Sequence, residues 1–441
     1  MGGTITENHY RVCSSFTAPA SVRVRHRWSP VCALVCATLL LAPQPLPAYS
    51  VQTHEQLIDL SWKTIIRPFL LHRFPHTTEA ELERAHSYAY GGCAIQDLGY
   101  YPFSNRFFSD LTHYARSADF VKVLFDRAKN PDELAFAIGA LSHYVGDSVG
   151  HPMAVNPSVG IEFPGLAKRY GPAVTYNEDP HAHVRTEFAF DINEISKRRM
   201  APSAYLRHVG LRVPTSLLAD AFFQTYGLDF DRVLGERRPV VRSYRFAVRS
   251  FLPRIAYAET VLHKKRFPPD TADESFRIFE QHLAEADFKK GWDPFRKKAG
   301  IGTHLLAWII PIMPRIGPLS MLAIRGPQVD THERYVDSVN ASTDELRRIL
   351  RTWGEQPLAN RDLDTGETVQ PGQYPLTDKT YAKLLDRLTR VPATRLPPQL
   401  KQNVLDYFAD PQAMQGPQKA KLDWPRVEKQ LALLKRMNVT H

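Results

Sequence analysis

The chain has 441 residues, 43% of them hydrophobic, which suffices for one large domain with a smaller appendage and a sizeable core. It contains no internal repeat, no glycine-rich phosphate loop and no Ser/His/Asp set around a nucleophile elbow, which argues against repeat proteins, P-loop enzymes and serine hydrolases. The formal net charge of +10 favours partners that carry phosphate, either anionic lipid or nucleic acid, and does not choose between them.

The first 48 residues have the pattern of a cleaved signal segment. Arg23, Arg25 and Arg27 precede a short apolar run, residues 31–42, and a proline-rich stretch follows up to Ala48. An apolar run of about a dozen residues is too short to cross a bilayer and is typical of a signal-peptide core. We therefore expect export, periplasmic or secreted, after cleavage near Ala48. An uncleaved N-terminal anchor is the alternative.

Cleavage at that point would remove most of the cysteines. Only Cys93 would remain, so the mature chain could form no internal disulfide. The leader carries a net charge of +3, which subtracted from +10 leaves +7 on the mature chain. A large core or bound metal would then have to supply the stability that disulfides give to many exported proteins.

The new N-terminus could itself bind a metal ion. An α-amine titrates near pH 8, so it can give up its proton to a metal at neutral pH. Tyr49 would offer its own amine and carbonyl, and His54 follows about one helical turn later. Both are therefore candidate ligands.

Two further candidates lie before the middle of the chain. Helical periodicity over residues 55–74 and 77–89 is followed by a glycine-rich, turn-rich stretch, residues 89–103, that contains Asp97. His113 comes shortly after it. Taken singly, each of these two residues is an ordinary loop or core residue.

The stretch GALSHYVGDSVGHP, residues 139–152, carries the strongest signal. His143, Asp147 and His151 recur every four residues on a predicted helix, residues 133–150, so their side chains lie on one face. Imidazole and carboxylate groups are metal ligands. Pro152 disfavours helical geometry in the residue before it, so we expect the helix to end near His151.

A second pair with the same spacing follows a loop-rich connection. His183 and Glu187 are four residues apart in HAHVRTEF, and we prefer His183 to His181 because it shares a helix face with Glu187. The two four-residue repeats together predict a metal site. Ligands of this type accept zinc, manganese or iron.

The C-terminal part adds helices and one apolar run. Residues 304–324 are the most apolar segment after the leader, but prolines and Arg315 interrupt them, which argues against a membrane-spanning helix. We prefer a buried hairpin, with a hairpin in the lipid interface as the alternative. Further helices are predicted over 120–127, most of 188–265, 343–353, 377–389, 397–408 and 424–437. The prediction is an all-α fold with a leader over 1–48, a metal-binding domain over 49–300 and a helical extension over 301–441.

Several stretches together resemble a known family. YSVQTHEQ, AYGGCAIQDLGYYPFSNRFFSDLTHY, GALSHYVGDSVGHPMAVN and HAHVRTEFAFD look like the bacterial zinc-dependent phospholipase C family, which forms one trinuclear-zinc superfamily with fungal single-strand nucleases. The resemblance covers residues 49–235. It lies in the order of an N-terminal residue, His, Asp, His, His-x3-Asp, His and His-x3-Glu.

The resemblance implies a role for each candidate. Tyr49, His54 and Asp147 would hold one zinc ion, and His113, His143 and Asp147 a second, with Asp147 bridging. A third would bind His151, His183 and Glu187. Asp97 would contact the water between the metal ions and act as general base.

The sequence departs from the family pattern at some positions. Tyr49 stands where the family usually begins with Trp, and the Asp147 to His151 interval is two residues shorter than in better-known relatives. Glu187 follows the phospholipase pattern, whereas the five-residue step from Tyr49 to His54 is closer to the nucleases. We expect a phospholipase C acting on phospholipid headgroups, with a single-strand nuclease or other phosphodiesterase as the first alternative. A non-catalytic, metal-stabilised membrane-associated protein is the second.

Overall fold

The computed structural model describes residues 51–262, 267–286, 291–296, 308, 326–390, 396–414 and 420–438. These residues form helices and only two isolated bridges, Trp353 with Gln356 and Arg361 with Thr368, and no sheet. The all-α prediction is therefore confirmed. The predicted leader, Tyr49 and, apart from Trp308, the apolar run 304–324 lie outside the described residues.

The α-helices are numbered in chain order and joined in places by tighter or wider helical turns. They are α1 Val51–Ser61, α2 Arg67–Arg73, α3 Glu79–Gly92, α4 Arg106–Tyr114, α5 Ser117–Arg127, α6 Pro131–Gly150, α7 Asn156–Glu162, α8 Pro164–Tyr170, α9 Pro180–Ser196, α10 Ser203–Val209, α11 Thr215–Tyr226, α12 Phe230–Leu234, α13 Arg237–Phe246, α14 Leu252–Leu262, α15 Glu274–Glu285, α16 Val329–Arg351, α17 Pro375–Arg390, α18 Pro398–Tyr407 and α19 Trp424–Arg436. Short π-helices span Trp62–Ile66, His151–Val155 and Ala247–Phe251, and 3₁₀-helices Ile95–Tyr100, Asp293–Phe295 and Gln412–Met414. Within the described residues, none of these helices has the length and apolarity needed to cross a membrane.

Local sequence signals start the helices that carry the candidate ligands. The Asn105 side chain accepts from Phe107 N at the start of α4, and Asn130 accepts from Glu133 N at the start of α6. Asp179 does the same for Ala182 N at the start of α9. Each cap satisfies a backbone N–H that has no partner within its helix, which fixes where the helix begins and how its side chains are phased.

Glycines bring α3 and α6 into close contact. A Cβ on Gly92 would lie 2.1 Å from Phe136 O, and a Cβ on Gly139 would lie 2.2 Å from Ala89 O. Neither position has room for a side chain. The close approach places the end of α3 beside the part of α6 that bears His143.

The α-helix expected to end near His151 ends at Gly150, but the chain stays helical beyond that point. α6 runs directly into the π-helix His151–Val155, and α7 and α8 then occupy the region expected to be mainly loop. Proline lacks an N–H and clashes with the preceding turn of an α-helix, and a wider turn accommodates Pro152 without breaking the chain direction. The predicted end of the α-helix is confirmed, whereas its helical continuation was missed because proline was treated only as a terminator.

Helix α1 is held against α9 and α16 by buried polar contacts. Thr53 Oγ1 donates to Asp191 Oδ1 at 2.7 Å and lies 3.2 Å from the Tyr335 hydroxyl. That hydroxyl donates to Gln56 Oε1 at 2.8 Å. Because these groups are buried, their hydrogen bonds specify one position of α1 relative to its neighbours.

A second buried network joins the end of α9 to α16. Arg199 donates to both oxygens of Glu194, at 2.6 and 2.8 Å, and His332 Nε2 lies 2.9 Å from Glu194 Oε1. Burial alone would raise the pKa of Glu194, but Arg199 and His332 hold it well below its ordinary value. The carboxylate therefore stabilises the fold while it is ionised.

We expect Arg199→Leu to lower the free energy of unfolding by roughly 3–5 kcal/mol at neutral pH, because it removes the arginine cation beside the buried Glu194 and leaves that carboxylate only His332 and Asn193 as partners. Since the folded-state pKa of Glu194 is depressed, its contribution is present above the ordinary glutamate pKa and is lost as the pH falls. The difference between wild type and variant should therefore narrow below about pH 4.3. Denaturant unfolding over a pH series, followed by circular dichroism, measures it.

Arg347→Leu is the matched control, because Arg347 pairs with Asp344 at the surface. It should change stability by less than about 1 kcal/mol. A loss for Arg199→Leu that stays constant over the pH series would assign the effect to packing. Arg199 also lies 5.3 Å from the centre of the Phe276 ring.

Candidate metal centre

Four helices, one π-helix and one 3₁₀-helix bring the predicted ligands into one buried place. His54 comes from α1, Asp97 from the 3₁₀-helix Ile95–Tyr100 and His113 from α4. The others are His143 and Asp147 of α6, His151 of the π-helix that follows it, and His183 and Glu187 of α9. All eight are buried, with exposed fractions of 0–3%. His181, the alternative to His183, is exposed.

The Asp147 carboxylate lies at the middle of these residues. Its Oδ1 is 3.2 Å from His54 Nε2 and 3.7 Å from His151 Nε2. Its Oδ2 is 3.3 Å from His113 Nε2 and 3.2 Å from His143 Nε2. One carboxylate therefore faces four imidazoles that come from different parts of the chain.

Within the described residues the side chains form three groups that could each hold a metal ion, with ligand atoms no more than 4.8 Å apart. The groups are His54, His143 and Asp147; Asp97, His113 and His143; and His151, His183 and Glu187. The last group is the one expected from the sequence. Asp97 Oδ1 lies 3.4 Å from His113 Nε2, within reach of an ion that His113 binds.

The spacing of the donor atoms fits zinc. Two ligands bound tetrahedrally at about 2.0–2.1 Å from zinc lie ~3.3 Å apart. His151 Nε2 and His183 Nε2 lie 3.2 and 3.1 Å from Glu187 Oε1. The distances from the Asp147 oxygens to His54, His113 and His143 are 3.2, 3.3 and 3.2 Å.

Several buried ligand atoms have no hydrogen-bond partner among the described residues: both Asp147 oxygens, both Glu187 oxygens and His183 Nε2. Buried polar atoms of this kind normally have a partner, and a divalent cation would supply it.

Backbone carbonyls orient three of the imidazoles. His143 Nδ1 donates to Cys93 O at 3.0 Å, His113 Nδ1 to Ser109 O at 2.8 Å, and His151 Nδ1 to Leu363 O at 2.9 Å. Because a carbonyl only accepts, each Nδ1 carries a proton, and each Nε2 is left to bind a cation once it has lost any proton of its own. Such outer contacts are what hold histidine ligands in place in metal sites.

The loop from Asp362 to Asp364 contributes to the centre, and sequence reasoning missed it. Besides accepting from His151, Leu363 donates its N–H to His113 O at 3.1 Å. Asp364 Oδ1 lies 3.9 Å from His151 Nδ1 and 4.0 Å from His183 Nδ1. Burial and the neighbouring Asp362 raise the pKa of Asp364 to about 8. Two aspartates in the turn DLDTG were the only signal, and turns often contain aspartate.

The Asp364 side chain is held from its other oxygen. Oδ2 accepts from the Tyr374 hydroxyl and from Tyr176 N, the latter at 3.0 Å. Oδ1 and His183 Nδ1 have no hydrogen-bond partner among the described residues, although they face each other. A carboxylate behind a histidine ligand fixes its tautomer and raises its basicity.

Burial and nearby charges set the protonation of the ligand side chains in the absence of metal. Burial lowers the pKa of His151 to about 4 and that of His183 well below its ordinary value, so both rings are neutral at neutral pH. Burial opposes ionisation of His113, but Asp147 and Asp97 outweigh it and raise its pKa to about 10. Burial and Asp147 raise the pKa of Glu187 well above its usual range. Metal binding must therefore release protons from His113 and Glu187.

This arrangement is that of a helical protein with a buried His/Asp/Glu centre whose side chains could hold more than one divalent ion. Residues 53–233 match the family model of zinc-dependent phospholipase C, which confirms the resemblance inferred from the sequence over about two-fifths of the chain. All eight described ligand candidates lie within the matched segment. No curated protein and no solved structure matches the chain.

We expect Asp364→Ala to weaken retention of one metal ion about 10- to 100-fold, the usual cost of losing an outer partner of a histidine ligand. Asp364→Asn keeps the volume and should weaken it less. Metal per chain, measured by mass spectrometry over a series of chelator concentrations, gives the affinity. Asp378→Asn is the control, because Asp378 is buried and accepts from Tyr407 instead of facing a ligand. An unchanged chelator midpoint in Asp364→Ala would refute the role.

Proposed function

We propose that this protein is a zinc-dependent phosphodiester hydrolase of the phospholipase C type, acting on phospholipid headgroups. The observation that supports this most is the position of Asp147, 3.2–3.3 Å from the Nε2 atoms of His54, His113 and His143 inside the family segment. We assign His54 and Asp147 to one zinc ion, and His113, His143 and Asp147 to a second, because His113 Nε2, His143 Nε2 and Asp147 Oδ2 lie 3.2–3.3 Å from one another. His151, His183 and Glu187 hold a third.

The proposed chemistry needs clustered cations and a base. Zinc, when bound, makes a water acidic enough to attack at neutral pH and neutralises phosphoryl oxygens. Asp97 is the proposed base, because its Oδ1 faces His113 and has no hydrogen-bond partner among the described residues. Ser109 O accepts from His113 Nδ1 and so holds in place the imidazole that Asp97 Oδ1 faces.

The proposal includes two points that depend on the N-terminus. Cleavage near Ala48 would free the Tyr49 amine as a further ligand of the ion bound by His54. The contacts of Thr53 and Gln52 N with Asp191 support this, because they anchor the first turn of α1 beside α9. Export follows from the same cleavage.

Assays on phosphatidylcholine vesicles and on single-stranded DNA, run side by side, decide the substrate class. We expect release of phosphocholine from phosphatidylcholine vesicles, loss of that activity on chelation and its return with zinc, while single-stranded DNA stays intact. Faster cleavage of DNA would support the nuclease alternative. Tightly held metal without turnover of lipid, DNA or a chromogenic phosphodiester would support the structural alternative.

We expect Asp147→Asn to lower kcat/KM roughly tenfold more than Glu187→Gln, because Asp147 serves two ions and Glu187 serves one. Both substitutions keep side-chain volume, so they are matched. Hydrolysis of the chromogenic phosphodiester by zinc-loaded protein measures the effect. Equal losses would argue against a shared carboxylate.

A further inference from the structure

An exposed face of α13 and the π-helix after it carries four arginines and one phenylalanine. Positions three or four residues apart share one side of a helix, and the five residues that do so here are Arg238, Arg242, Arg245, Phe246 and Arg249. Arg249 is partly exposed and the other four are exposed. Val240, Val241 and Tyr244 on the opposite side are buried. We call this surface the arginine face.

Neighbouring arginines extend the positive charge. Arg245 Nε donates to Leu211 O at 2.8 Å, which brings Arg212 alongside. Partial burial lowers the pKa of Arg245, and so do the charges of Arg249 and Arg212. The pKa of Arg207 is lowered in the same way, by partial burial and then by Arg254 and Arg249.

These arginines have no carboxylate partners in the described part of the chain. None of Arg207, Arg212, Arg242, Arg245, Arg249 and Arg254 lies within 4.0 Å of an Asp or Glu oxygen there, whereas Arg237 on the same helix pairs with Asp231. Cations that repel one another without compensation cost stability, so a surface of this kind favours an anionic partner.

Two exposed aromatic rings accompany the charge. The Phe246 side chain is 59% exposed and that of Phe103 is 75% exposed. Phe103 also has a φ of 68°, an uncommon conformation for a bulky residue. Ser243 Oγ donates to Pro102 O at 2.6 Å, so the loop that presents Phe103 is attached to α13. Backbone strain that holds an apolar ring in solvent points to a contact made outside the chain.

The arginine face is connected firmly to the metal centre. The Tyr244 hydroxyl donates to Gly91 O at 2.8 Å, and its ring lies 5.3 Å from the Tyr101 ring. Tyr101 directly follows the 3₁₀-helix that carries Asp97. A partner bound at the arginine face is therefore held beside the loop that supplies the proposed base.

We propose that the arginine face, together with Phe103, docks the protein onto a bilayer containing anionic phospholipid. The guanidinium groups bind lipid phosphates, and the phenyl rings enter the boundary between headgroups and acyl chains. Single-stranded nucleic acid is bound along grooves, whereas these residues stand on an outer helix face, which favours a lipid surface. The inference rests on the proposed function in one respect: the membrane to which the protein docks would also contain its phospholipid substrate.

The test uses full-length, zinc-loaded protein and vesicle flotation after brief incubation. The vesicles contain phosphatidylcholine alone or an equal mixture with phosphatidylglycerol. We expect binding to the mixed vesicles that weakens with added salt. The double variant Arg242→Gln/Arg245→Gln should partition onto mixed vesicles about 30-fold less than wild type, since each arginine near an anionic surface contributes about fivefold. Phe246→Ser should lower it roughly tenfold.

Matched controls use exposed residues elsewhere. Arg334→Gln with Arg351→Gln removes the same charge from α16, and Leu433→Ser removes an exposed apolar side chain from α19. Both should bind mixed vesicles like wild type. Zinc content and circular dichroism check that every variant is folded.

The outcomes separate this inference from the proposed function. The proposed docking surface is refuted if the test and control pairs lose vesicle binding equally, or if wild-type protein does not bind mixed vesicles. Binding to a single-stranded oligonucleotide that the test pair alone abolishes, without vesicle binding, overturns it in favour of nucleic acid. Vesicle binding without hydrolysis of any phosphodiester refutes only the proposed function, because flotation does not require turnover.

Discussion

The structure depends on how one buried carboxylate is accommodated. Asp147 is fully buried and faces four imidazoles, and His143 and His151 contribute most to holding its pKa well below the ordinary value against the cost of burial. An unpaired carboxylate in such a place would be strongly destabilising. The helices around it must therefore meet at defined positions: His113 lies in the last turn of α4, Asp147 in the last turn of α6 and His183 in the first turn of α9. A metal ion bound here would add coordination bonds to these contacts, so the centre and the fold would stabilise each other.

The C-terminal part of the chain belongs to that arrangement, although the family match ends at residue 233. Leu363 joins two ligand-bearing segments through its own carbonyl and N–H, and α16 holds α1 and α9 through Tyr335 and His332. Residues outside the matched segment thus position ligands inside it. The segment alone would lack the acceptor of His151 and the carboxylate behind His183.

Sequence reasoning identified those parts of the site that repeat with a helical period. His143, Asp147 and His151, and likewise His183 and Glu187, are separated by four residues and could be recognised from spacing alone. Asp97 and His113 follow no such pattern and became credible only through the family resemblance. Leu363 acts through its backbone at a separation of 212 residues from His151, and no side-chain pattern reports such a contact.

Two features outside the ligand set were also missed. The π-helix at Pro152 was missed because several turn geometries relieve the same steric clash. The arginine face was missed because charge was summed over the chain instead of assigned to the exposed side of one helix.

The carboxyl groups of the centre and the arginines without carboxylate partners lie in different parts of the molecule, and this bears on the proposed substrate. The interior around the centre gathers the carboxyl groups of Asp97, Asp147, Glu187 and Asp364, which can bind cations and offer phosphate no positive charge until metal ions are bound. The unpaired arginines instead lie outside, on α13 and its neighbours. A polyanionic strand would need a cationic path that continues from the surface into the centre. A membrane needs only a cationic face beside the centre, because one lipid headgroup at a time has to leave the surface. The separation of charge therefore favours a substrate taken from an anionic surface over one that threads through the molecule.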